Sequence, residues 1–136
     1  MVLEYFVKSR IINNFKTGEV ETKYFPKLLK KSPATVEALS RKIEIGSTLS
    51  RFEVQLALDE WSDIGMDALM QGQKVYLGNF GTLSLKLEAK AQDNPEDVCT
   101  KNITRVKCTF YPSKELTRRL QEIPLHKRSY MPKFQE

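Results

Sequence analysis

The sequence predicts an α+β fold: a β-hairpin, two helices, a three-stranded antiparallel sheet with an extended hairpin arm, and a short C-terminal helix. Three observations carry it. Apolar residues at helical spacing run from Val54 to Leu69. The stretch Gly72 to Leu83, GQKVYLGNFGTL, joins the end of that helix to a hairpin. Residues Ile103 to Phe110 alternate with the period of two that marks a half-exposed strand. Within GQKVYLGNFGTL, Val75 and Leu77 and then Leu83, Leu85 and Leu87 put apolar side chains on one face of each strand, with Asn79 to Gly81 as the bend.

In chain order, residues 3 to 26 read as an N-terminal hairpin. Leu3, Tyr5 and Val7 alternate on one side of a Thr17-Gly18 turn, and Val20, Thr22 and Tyr24 on the other. Pro26 is expected to end the second strand, since proline cannot donate to a ladder, and a basic linker, Lys27 to Lys31, follows. Ser32-Pro33 supplies a helix start, with Thr35 as the competing cap. Val36, Leu39 and Ile43 share one face of this short helix, and Gly46 stops it. Ser50 with Glu53 forms a capping box for the second helix, each side chain satisfying the other's orphan backbone donor. Val54, Ala57, Leu58, Trp61, Ile64, Gly65, Ala68 and Leu69 form its apolar stripe, opposite Asp59, Glu60, Asp63 and Asp67. Phe52 and Leu56 widen the stripe beyond what one neighbouring helix needs, which points to a subunit interface; burial within a single monomer is the competing reading.

The strand from Ile103 to Phe110 places Thr104, Val106, Cys108 and Phe110 on one face and Arg105, Lys107 and Thr109 on the other. Between it and Leu87 lies EAKAQDNPEDVCTKN, polar and turn-rich, the distal part of a hairpin or a disordered tip. Pro112-Ser113 starts the last helix, with Leu116 and Leu120 inward and Arg118 and Arg119 outward, and Pro124 ends it. The remaining tail is basic and aperiodic, so an extended segment is expected. The domain reading is therefore 1–31 for the hairpin and linker, 32–123 for the main domain and 124–136 for the basic tail.

At 136 residues the chain has the length of one domain, and its 40% hydrophobic and 29% charged residues are ordinary for a soluble protein. No apolar run approaches the roughly 20 residues of a membrane span. The start, MVLEYFVKSR, lacks the features of a secretion signal, which favours the cytoplasm. Cys99 and Cys108 offer neither metal spacing nor a disulfide framework and read as buried or strand-lining thiols. His126 has no partner for triad or metal chemistry. With no glycine-rich phosphate loop and no nucleophile paired to a base, an enzyme is disfavoured, and neither cofactor nor metal is expected. The net charge of +5 permits a polyanionic partner, and its distribution says more: residues 35 to 72 are acidic and the flanks are net basic.

The capped second helix, GQKVYLGNFGTL and the closing Phe110, Lys114 and Leu116 resemble the bacterial histone-like HU and integration host factor family over some ninety residues. STLSRFEV, VYLGNFGTL, the Asn102-Ile103 pair and TFYPSKEL are similar to the HU-related proteins of Bacteroides and relatives, which also carry a β-rich N-terminal extension. The resemblance implies an HU/IHF-like fold in an intertwined homodimer, with helices as base, sheets as saddle and arms gripping double-stranded DNA in the minor groove. Leu56, Leu58, Trp61, Ile64, Phe80 and Phe110 would then lie in the dimer interface.

Minor-groove architectural binding needs cations for phosphates and an apolar wedge, with little base-specific hydrogen bonding. Lys86, Lys90, Lys101, Arg105 and Lys107 on sheet and arm, Lys114 at the start of the last helix, and Arg118 are the candidate DNA contacts, with Arg119 beside them; solvated lysines on a strand face are the competing reading. Pro95 falls near the family's intercalating Asn-Pro, but Asp93, Glu96 and Asp97 surround it where the family carries arginines and glycine, and an ordinary turn proline is the alternative. Glu88 and Ala91 also stand where the family favours arginine. The function expected is a histone-like, weakly sequence-selective protein of the nucleoid that bends or compacts DNA. The alternative is an HU-fold interaction module, using its hairpin and acidic arm tip to bind protein. No membrane or small-molecule partner is expected.

Overall fold

The computed structural model describes residues 1–129, with three α-helices and two three-stranded sheets. These residues fall into two compact units, one formed by Met1–Pro33 with the chain from Leu120 onward, the other by Ala34–Arg119.

In the first unit, strands β1 (Leu3–Asn13) and β2 (Val20–Leu28) pair antiparallel around a turn closed by Gly18, and β6 (Leu125–Lys127) adds in parallel to the free side of β1, giving the order β2-β1-β6. Two differences from the sequence reading follow. Pro26 does not end the second strand; it sits within β2 opposite Val7. The reason is register. Leu29 donates to Glu4 and Asn14 to Glu19, so Val7–Pro26 is a non-hydrogen-bonded pair on an edge strand, where a missing N–H costs nothing. The second difference is β6. The sequence marks Leu125–Lys127 as aperiodic tail, but Leu3 donates to the Pro124 carbonyl and Arg128 to that of Tyr5. An exposed sheet edge captures a short segment whose own sequence carries no strand signal. The rest of the predicted tail, residues 130–136, lies outside the described residues.

In the second unit, α1 (Val36–Gly46) is capped by Thr35, whose hydroxyl accepts from the Ala38 N–H, so the start at Ser32-Pro33 gives way to the competing cap. Helix α2 (Arg51–Met70) begins at the predicted Ser50–Glu53 capping box, with both reciprocal bonds formed. Ser40, fully buried on α1, ties its hydroxyl to the Val36 carbonyl and so leaves no polar atom unsatisfied. Strand β3 is only Val75–Tyr76, shorter than the predicted alternation through Leu77, and lies beside β4 (Gly81–Ala89), which pairs with β5 (Ile103–Pro112). Helix α3 (Lys114–Glu122) follows.

The bend between β3 and β4 depends on Gly81. Its φ of +151° is hostile to a side chain, and a Cβ there would run into the carbonyl oxygen of Tyr111 and stand 2.9 Å from the Phe110 ring. That close approach explains the Phe-Gly-Thr sequence. It also seats the last helix. Ser113 donates from its backbone to Phe80 and from its hydroxyl to Asn79, and the same hydroxyl caps α3 by accepting from Leu116.

Little of the second unit is enclosed. Val54 and Leu69 are its buried large apolar residues, whereas Leu56, Ile64 and Phe80 are each more than 60% exposed and Leu58, Trp61 and Phe110 about half so.

Candidate nucleic-acid interface

The ladder between β4 and β5 sorts side chains by parity. Leu83, Leu85 and Leu87 face Phe110, Cys108 and Val106 across one side; Ser84, Lys86 and Glu88 face Thr109, Lys107 and Arg105 across the other. The predicted apolar and basic faces therefore exist. At the arm end a bulge falls after Glu88, so Ala89 pairs with Ile103 and Thr104 is the extra residue rather than a member of the apolar row.

The polar face concentrates Lys86, Arg105 and Lys107, three of the predicted contacts. Like charges directly opposite each other repel, and Lys86 is opposite Lys107. Glu88, one pair along, relieves this. Its carboxylate accepts two hydrogen bonds from the Arg105 guanidinium and one of 2.7 Å from the Lys107 ammonium. The bonds from Arg105 first, then Lys107, hold its carboxyl down at about 2, and the same pairing raises the Arg105 pKa. Lys86 lies with its ammonium 4.9 Å from the centre of the Tyr111 ring, within cation–π range.

The last helix repeats this device. Glu115 accepts from Arg118 at 2.8 and 3.2 Å and from Arg119 at 2.8 Å, and those bonds lower its pKa. Lys114 is exposed at the head of the same helix. Lys90 and Lys101 stand further out, at the root of the arm's distal segment, where the Lys90 N–H donates to the Asn102 carbonyl. That segment is two single 3-10 turns, Pro95–Asp97 and Thr100–Asn102. Pro95 opens the first, and the Asn94 amide reaches Asp97 at 3.4 Å, the local bonding of an Asn-Pro turn. Asp93, Glu96 and Asp97 are exposed around it.

The arrangement can neutralise phosphates along one strip of sheet, while its outer end is acidic. Reading by sequence missed Glu88 and Glu115 as partners. Glu115 lies three and four residues before Arg118 and Arg119, a spacing legible on any helix; Glu88 needed the register. Cys108 lines β5 as expected, though exposed; Cys99, expected to be buried or in a strand, is exposed beside the second 3-10 turn. Among the described residues no cluster of His, Cys, Asp or Glu could hold a metal ion, and no helix is long and apolar enough to cross a membrane.

An antiparallel hairpin with one cationic and one apolar face, carried by two helices that leave apolar side chains uncovered, defines an α+β module of the HU-like class. The family model HU-HIG, "HU domain fused to wHTH, Ig, or Glycine-rich motif", matches residues 1–127. The chain belongs to this family. Among solved structures it is similar to a "Putative bacterial DNA binding protein" from Bacteroides vulgatus ATCC 8482, with a TM-score of 0.65 and 13% identity over 96% of this chain. At that identity the likeness is one of fold, and this chain spans 50% of that one. No curated protein matches the sequence.

Proposed function

We propose that the protein binds duplex DNA with low sequence specificity and bends or compacts it as a homodimer, as part of the bacterial nucleoid in the cytoplasm. The observation that carries this is the strip of Lys86, Arg105 and Lys107 on one face of the hairpin. Phosphate neutralisation by such a strip is indifferent to base sequence. Lys90, Lys101, Lys114 and Arg118 extend the surface at its margins. The homodimer is supported by the exposed Leu56, Leu58, Trp61, Ile64, Phe80 and Phe110, because a unit that buries so few of its large apolar side chains needs a partner to finish its core. The Bacteroides source of the similar structure favours the HU-related subfamily of that group.

Duplex affinity measured by fluorescence anisotropy is expected to fall steeply with salt. A Lys86→Ala, Arg105→Ala, Lys107→Ala variant should flatten the slope of log K against log salt by about 3 to 4 per dimer, allowing for the one charge per protomer that Glu88 offsets. An unchanged slope removes the strip from the interface.

A second reading has its own observation. Pro95 is ringed by Asp93, Glu96 and Asp97, and its Asn94 is engaged within the turn, so the arm tip suits a cationic protein surface better than a minor groove. An intact dimer with no duplex binding at about 50 mM salt would favour an interaction module over a DNA-bending protein.

A further inference from the structure

The excess positive charge of this chain does not reside in the HU-like unit. Residues 34–119 hold twelve Lys and Arg against twelve Asp and Glu, so the whole net charge of +5 belongs to the other unit, with ten cations against five anions. Within that unit the register gathers cations on one face of the sheet. Lys8 stands opposite Phe25, Arg10 opposite Lys23, and Phe6 opposite Lys27; these pairs alternate with an apolar set, Tyr5–Leu28, Val7–Pro26 and Ser9–Tyr24, on the other face. Among the described residues the strand register places two anions on this face, Glu4, which pairs with Arg128 at 3.2 Å, and Glu21, 3.8 Å from Lys23. In the middle of the four cations Phe25 is 44% exposed, and Lys8, Arg10, Phe25, Pro26 and Lys27 line a depression of about 430 Å³.

We propose that this face binds single-stranded nucleic acid, with a base stacked on Phe25 and flanking phosphates held by Arg10, Lys23, Lys8 and Lys27. Two features separate it from a merely solvated strand face. An aromatic ring left open among cations offers a stacking platform that a phosphate-only surface lacks. Same-face residues along a strand recur about every 6.6 Å, so the cations form a short ladder on both sides of the ring, suited to a backbone passing over it. The proposal is independent of DNA binding by the β4–β5 strip. A chain with both surfaces would hold duplex at one and an unpaired strand at the other.

The test uses the full chain and a labelled twelve-residue oligothymidylate, read by anisotropy at several salt concentrations, with and without saturating unlabelled duplex. The oligonucleotide is expected to bind in both conditions. Phe25→Ala should weaken it about fivefold or more, and Phe25→Trp should restore it. Arg10→Ala with Lys23→Ala should flatten the salt slope by about 1.4, two phosphates' worth for a single strand. Phe25 lies outside the buried core, and thermal melts of each variant confirm folding. Wild-type affinity in Phe25→Ala, or complete displacement by duplex, overturns the proposal. So does loss in Phe25→Ala of binding to anionic phosphatidylglycerol vesicles with oligonucleotide binding intact, which would make this a lipid surface.

Discussion

Replacing Glu88 by glutamine should strengthen duplex binding, and the size of the gain follows from its three hydrogen bonds. Its carboxylate holds Arg105 through two donors and Lys107 through one, so the three cations of the strip act as a net charge of two. The amide of glutamine retains an acceptor for the same donors but removes the negative charge. One further phosphate per protomer then becomes neutralisable. Each adds about 0.9 to the salt slope, or about 1.8 for a dimer, which corresponds to roughly tenfold tighter binding per contact near 50 mM salt and about fourfold near 200 mM. The assay is anisotropy on a 30-base-pair duplex across that range. Changing pH cannot substitute for the mutation. With its carboxyl held at about 2, Glu88 stays ionised throughout the usual assay range. The sign for stability is the usual one for a depressed carboxylate. The contribution is fully present above the unfolded value near 4.5 and is lost as pH falls from there through about 2, so acid unfolding of the wild type should shift in that window and that of Glu88→Gln should shift less. Equal or weaker binding by Glu88→Gln, with an unaltered salt slope, would refute the claim that this carboxylate restrains the strip.

Two other substitutions test the frame that carries the strip. Gly81→Ala forces a side chain against the Tyr111 carbonyl at a left-handed φ, and is expected to cost about 3 kcal/mol and lower the melting temperature by about 10 °C or more; a change under about 2 °C would mean the bend relaxes easily. Trp61→Asp with Ile64→Asp places charges on the uncovered face of α2 and should weaken self-association at least 100-fold by sedimentation equilibrium, whereas an unchanged association constant would move the interface elsewhere.

What could be read from sequence was whatever local periodicity or capping determines. The Ser50–Glu53 box, the α2 stripe and the two faces of β4 and β5 all depend on neighbours within a few residues, and all are present. What failed depends on pairing at a distance. Pro26 looks like a terminator until the hydrogen-bond parity shows that its nitrogen is not needed. Leu125–Lys127 is too short to announce itself and becomes a strand because β1 has an open edge. The candidate sites divide in the same way. Lys86, Arg105 and Lys107 were legible as an alternation, but their restraint by Glu88 was not, since residues 17 and 19 positions apart meet only through the register of the arm.

Those two kinds of legibility bear on function as well. Counting cations overstates what a surface offers a polyanion, because Glu88 and Glu115 each engage two of the cations assigned to DNA. Such pairs are not inert. A phosphate arriving at Arg105 must compete with a carboxylate already there, so discrimination shifts toward ligands that present several phosphates in the geometry of the strip and away from single anions. On the other unit Glu21 stands 3.8 Å from Lys23, one of the cations around Phe25. A cationic face around an open ring and a carboxylate-restrained strip on a hairpin are different binding surfaces. Under rising salt the first should lose a single strand through few phosphates and retain a stacking contribution, while the second should lose duplex steeply. The ratio of the two affinities across a salt titration is therefore a property of the chain that neither surface alone would produce.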